Sequence, residues 1–183
     1  IWDETQKALS YKNSSKYFTT LKKVEALKYF DGLEKAYSKN LKFLKKMDKK
    51  RDMVHEKWGI INLNSEQANI LEKKIRVPNK ISNFRKTLTE IFQLIEKKNI
   101  NEKKLLTSLN GMNFFRNESN VLSAINLLQK LKIISPKKNK NWKSLLNDLK
   151  KIKVKTSGLK AEQIKDKIFH ERLKVIQDKK NDL

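Results

Sequence analysis

Apolar residues return every three or four positions along most of this chain, the spacing of one face of an α-helix. In the first half the stripe runs through Leu21, Val24, Leu27, Phe30, Leu33, Tyr37, Leu41, Leu44, Met47, Val54 and Trp58. It predicts one long helix over about 15–58, the alternative being two helices broken near Asp31-Gly32. Before it, Asp3 is a cap for a short helix carrying Ala8, Leu9 and Tyr11, and "NSSK" at 13–16 offers a second N-cap. After it, Gly59 suits a left-handed helix end, and Asn64 with Gln67 reads as a capping box. A short return helix through Ile70, Leu71 and Ile75 stops before Pro78, since the residue ahead of a proline disfavours helix.

The second half has shorter stripes. Ile81, Phe84, Leu88, Ile91, Phe92 and Ile95 form one. Asn101 caps a helix with Leu105, Leu106 and Leu109, ended by Gly111, and the Phe114-Phe115 pair reads as buried in a turn or short helix. Ser119 is the expected cap for Val121, Leu122, Ile125, Leu128 and Leu131. Ser135-Pro136, an N-cap followed by proline at the first helical position, opens a helix with Trp142, Leu145, Leu146, Leu149 and Ile152. Beyond "KTSG", Ile164, Ile168, Phe169, Leu173 and Ile176 mark a final amphipathic helix. The expected fold is all-α: a long N-terminal helix plus a C-terminal bundle of four to five helices. The expected parts are a long arm with its return helix over 1–78, a bundle interaction domain over 79–156, and an amphipathic helix over 157–183. Four glycines and two prolines in 183 residues are too few turn residues for a hairpin-rich sheet protein.

Charge changes the picture from fold to partner. The 43 Lys and Arg against 20 Asp and Glu give a net charge of +23, which points to a polyanion. Only five of the bases are arginine, the residue suited to bidentate recognition of bases and phosphates. A solvated lysine surface, reflecting an AT-rich coding sequence, is the plain alternative. Two basic clusters stand out. The first is Lys39, Lys42, Lys45, Lys46, Lys49, Lys50 and Arg51, opposed only by Asp48. The second is Lys137, Lys138, Lys140, Lys143, Lys150 and Lys151, extending to Lys153 and Lys155 and opposed by Asp148. Helical ridges of this kind lie along a phosphate backbone without reading bases. Trp142, within the second, is a core residue by its spacing, the alternative being a ring that stacks on a base.

The residues exclude several chemistries. With no cysteine there is no disulfide, thiol nucleophile or Cys-based zinc site. His55 and His170 each precede a Glu, but Gly59 and Lys174 occupy the fourth position after them, so neither forms a zincin helix. No glycine-rich phosphate loop or Gly-x-Ser-x-Gly elbow occurs. A metal-dependent nuclease needs converging carboxylates, and nothing in the spacing points to them. The catalytic alternatives left are that metal-dependent nuclease and a metal-free one using His and Glu as acid and base. The chain therefore reads as a non-enzyme without cofactor or small-molecule substrate. No apolar run approaches the roughly 20 residues that span a bilayer. "IWDETQKALS", with no initiator Met, reads as the start of a fragment or processed chain rather than a signal peptide.

Over about Ile81 to Val154 the order of helices resembles the bundle of the elongation factor S-II N-terminal domain and of the integrase-binding domain of lens epithelium-derived growth factor. "SNVLSAINLLQKLKI" at 119–133 and "LTSLNGM" at 106–112 carry the likeness. Members of that family grip short acidic-hydrophobic peptides with two interhelical loops. The resemblance implies partner-binding positions at Asn99, Ile100 and Asn101 in the first loop, and at Leu131, Ile133 and Ile134 in the second. It also implies a nuclear, intracellular setting in transcription or chromatin. The first loop, "KKNIN", departs from the growth-factor domain in having no acidic residue. The expected function is thus a helical interaction module with nonspecific nucleic-acid contact, DNA or RNA. The alternatives are a scaffold subunit packing its long helix on a partner chain, an RNA- or ribosome-associated protein, and a surface bundle binding a host protein.

Overall fold

Several short helices, rather than one rod, carry the apolar stripe of the first half. The computed structural model describes residues 1–30, 32–97 and 101–183. Among them are ten α-helices, two short 3-10 turns and no strand, so the all-α expectation holds. The chain divides into two compact units, Ile1–Glu90 and Ile91–Leu183.

The first unit contains α1 (Trp2–Ser10), α2 (Ser14–Lys23), a 3-10 turn (Ala26–Tyr29), α3 (Leu33–Lys46), α4 (Val54–Ile61), α5 (Ala68–Ile75) and the start of α6 (Asn79–Glu96). The expected helix over 15–58 is therefore corrected to three α-helices and a 3-10 turn. As one rod it would measure about 66 Å and leave its apolar stripe in water. Folded into segments, with α2 and α4 both packed against α3, it covers that stripe with its own neighbours. Left-handed backbone makes the joints, at Glu25 (φ 55°), Gly32 (φ 69°) and Asp52 (φ 53°). At Gly32 a side chain has no room, since a Cβ would lie 2.7 Å from that of Gln67. Asp31 lies outside the described residues.

Gly59 is also reassigned. It sits inside α4 rather than at a helix end, and its missing side chain lets α6 approach; a Cβ there would meet Leu88 Cδ2 at 3.0 Å. Two stripe members are misplaced as well: Val24 and Ile70 are exposed. One cluster of buried polar groups in this unit is mutually paired. Glu72 accepts from Trp58 Nε1 (3.0 Å) and from Arg85 Nε (3.0 Å) and Nη2 (2.6 Å), with Arg85 also donating to Asn69. Trp2 stacks edge-on against Trp58 at 5.2 Å.

The second unit holds the end of α6, then α7 (Glu102–Gly111), α8 (Ser119–Lys130), α9 (Pro136–Lys151) and α10 (Ala161–Lys179). Its core takes Leu105, Leu106 and Leu109 from α7, Ile125 and Leu128 from α8, and Trp142, Leu145, Leu146 and Leu149 from α9. Asn101 and Ser135 cap α7 and α9 as expected, accepting from Lys104 N (2.9 Å) and Lys138 N (3.1 Å). Ser119 does not cap α8 but is its first residue; Asn117 Oδ1 accepts from its backbone N–H at 3.2 Å and its hydroxyl at 2.7 Å. Phe114 is buried, and Phe115 lies under the Arg172 guanidinium, 3.3 Å from the ring centroid. Ion pairs Lys179–Asp148 and Lys180–Glu102 fasten the end of α10 to α9 and α7.

Candidate nucleic-acid interface

α3 buries Leu33, Ala36, Tyr37, Asn40 and Leu44 on one side. At about 100° per residue, Lys35, Lys39, Lys42 and Lys46 then fall on the opposite side, and all four are exposed. Lys45 is exposed on the flank. Lys42 and Lys46 lie over the Phe43 ring, at 5.0 and 5.5 Å from its centroid. Both ammonium groups are thus within cation–π reach of one aromatic ring. Lys35 belongs to the same row at a four-residue step before Lys39, a position that the expected cluster left out.

The ridge continues into the turn after α3, where Lys49, Lys50 and Arg51 are exposed. This turn is fixed from below. The Asp48 carboxylate accepts from Ser15 N (2.9 Å), Ser14 Oγ (3.4 Å) and Ser15 Oγ, capping α2 from a distance. Its carbonyl takes Asn13 N at 2.8 Å, and Asp52 N donates to Ser10 O at 2.9 Å. The one acid within the cluster is therefore turned toward a helix N-terminus. Among the described residues no carboxylate forms an ion pair with Lys39, Lys42, Lys45 or Lys49.

Lys57 completes the anchor. It is fully buried, and its three N–H groups donate to the carbonyls of Leu9 (2.9 Å), Tyr11 (2.6 Å) and Lys50 (2.8 Å). Burial pushes its pKa below the ordinary lysine value, with the Asp48 and Asp52 charges opposing that fall. Sequence spacing placed Lys57 in a helix beside Trp58 and gave no sign of this role, because its acceptors are backbone groups 7 to 48 positions away.

The second cluster is less uniform. Lys137, Lys140 and Lys151 are exposed on the outer face of α9. Lys138 donates to the Ile95 carbonyl at 3.2 Å, Lys143 is half-buried, and Lys150 pairs with Glu118 at 2.7 Å. Asp148 is paired with Lys179, whose hydrogen bond holds its carboxyl below the usual range. Trp142 lies wholly in the core. Of the loop positions, Asn99 and Ile100 lie outside the described residues. Asn101 is exposed and engaged as a cap, Leu131 and Ile134 are buried, and Ile133 is half-buried.

His55 packs edge-on against Phe84 at 4.9 Å, and His170 Nδ1 lies 2.8 Å from the Asp166 carbonyl in its own helix. Among the described residues no group of His, Asp and Glu is placed to hold a metal ion, and no helix is long and apolar enough to cross a membrane. No protein-family model, curated protein or solved structure matches the chain.

Proposed function

We propose that the chain is a non-catalytic helical interaction module that holds nucleic acid through phosphate contacts along α3 and the turn after it. The observation that carries this reading is the row Lys35, Lys39, Lys42 and Lys46, exposed opposite the buried side of α3 and continued by Lys49, Lys50 and Arg51. Lysines on a helix face make point-charge contacts and do not read bases, so binding is nonspecific and driven by counterion release. Affinity for a DNA duplex then falls steeply with salt, with a log–log slope near −0.9 for each phosphate neutralised. Six or so contacts give a slope of about −5. A flat salt response removes the nucleic-acid reading.

A protein partner at the bundle loops is the second part of the proposal. Lys138 Nζ on the Ile95 carbonyl brings the end of α6 beside the start of α9. The stretches flanking the two interhelical loops thus lie side by side, which supports one shared surface for a partner. With the resemblance to the elongation factor S-II type of bundle comes the proposed setting, a nuclear assembly of the transcription or chromatin kind. Co-purification of the tagged chain with nuclease treatment tests this part. A protein retained after nuclease and lost on Ile133→Asp supports it, and loss of every partner with nuclease removes it.

A further inference from the structure

The four tyrosines divide into two kinds. Tyr17 and Tyr37 bond through their hydroxyls to Thr5 and Thr19, each at 3.1 Å. Tyr11 and Tyr29 are 62% and 70% exposed, and their hydroxyls bond to none of the described residues. Both stand at ends of the α3 ridge. Tyr29 closes the 3-10 turn just before α3, and the next carbonyl, Phe30 O, accepts from Leu33 N at 2.9 Å. Tyr11 follows α1, and its carbonyl shares the Lys57 ammonium with the Lys50 carbonyl, so Tyr11 lies beside the basic turn that ends the ridge. Each tyrosine has a lysine next to it in sequence, Lys12 and Lys28, and the Lys28 ammonium lies 5.5 Å from the Tyr29 centroid.

We infer that this ridge takes single-stranded nucleic acid in preference to duplex, with Tyr11 and Tyr29 stacking on bases at its two ends. The inference rests on the phosphate-binding reading of α3 and adds the class of strand. A duplex hides its base faces, so exposed aromatic rings gain nothing from it. A single strand offers phosphates to a row of cations and bare base faces to flanking rings, and such stacking tolerates any sequence. The 14 residues of α3 span about 21 Å, room for a strand of a few nucleotides between the rings.

The test uses the full chain and fluorescence anisotropy with three DNA probes of about twelve nucleotides: a single strand, the same strand made abasic, and the duplex. Wild type is expected to bind the single strand about tenfold or more tighter than the abasic strand, as stacking of this kind supplies. Tyr11→Ala/Tyr29→Ala is expected to lose that preference while holding the abasic strand as well as wild type does. Both side chains are exposed, and a circular dichroism spectrum matching wild type confirms the fold. Equal wild-type affinity for all three probes, or a tyrosine variant that keeps the preference, overturns the inference and leaves the ridge standing. No binding to any probe overturns both.

Discussion

Lys57 shows how one residue can organise a surface that it never reaches. A buried ammonium is costly unless all its donors are used, and here three carbonyls from two separate stretches use them. Lys57→Met leaves those carbonyls without their donor and is expected to lower stability by about 3 kcal/mol or more, measured by urea unfolding. The pKa gives a second check. Burial sets it below 10.5 in the folded chain. Between that lowered value and 10.5 the unfolded chain holds a proton that the folded chain has released. Wild type should therefore gain stability relative to Lys57→Met as pH rises through that window. A difference that falls there contradicts the assignment. Arg85 offers a parallel case: Arg85→Met strands the buried Glu72 carboxylate and should cost about 3–5 kcal/mol, whereas adding Glu72→Leu should restore part of the loss.

At the scale of elements, apolar spacing gave away the helices but concealed the joints between them. Short helices can keep a three- and four-residue rhythm across a bend, so Leu21 to Trp58 reads as one stripe although α2, α3 and α4 are separate. The bends sit on residues such as Glu25 and Asp52, whose identity does not announce a left-handed backbone. Local caps were legible, as at Asn101 and Ser135. The cap supplied to α2 by Asp48 was not, because it comes from 33 residues away. For the same reason the charges of the first cluster were legible and the anchoring of its turn was hidden. The C-terminal end of α10 depends on two such long-range contacts. The Lys180 and Lys179 hydrogen bonds hold Glu102 and Asp148 below their ordinary values of 4.5 and 3.8. A lowered carboxyl pKa gives stability that is present above the unfolded value and lost as pH falls toward the folded one. Amide protection factors near the end of α10, taken relative to the intrinsic exchange rate at each pH, should accordingly fall below about pH 4. In Glu102→Gln/Asp148→Asn that acid sensitivity should be reduced, and an unchanged pH response would count against the two ties.

Across the whole molecule, a net charge of +23 opposes folding through self-repulsion and favours association with polyanions. Salt should therefore act in opposite directions on the two properties. Going from low to moderate ionic strength shortens the screening length to about 8–10 Å, which should raise Tm while weakening binding. A Tm that falls with salt would mean that self-repulsion does not limit folding, and binding that does not weaken would mean that the positive charges do not drive it. The central claim is narrower than the net charge: the phosphate-contacting face is that of α3. Its most direct test is the salt slope of single-strand binding in two triple variants of equal charge change, Lys35→Ala/Lys39→Ala/Lys42→Ala on α3 and Lys137→Ala/Lys140→Ala/Lys151→Ala on α9. The α3 variant is predicted to flatten the slope by up to about one unit per lysine, and the α9 variant to flatten it distinctly less. Equal slopes in the α3 variant and wild type, or the larger change on α9, would contradict the account.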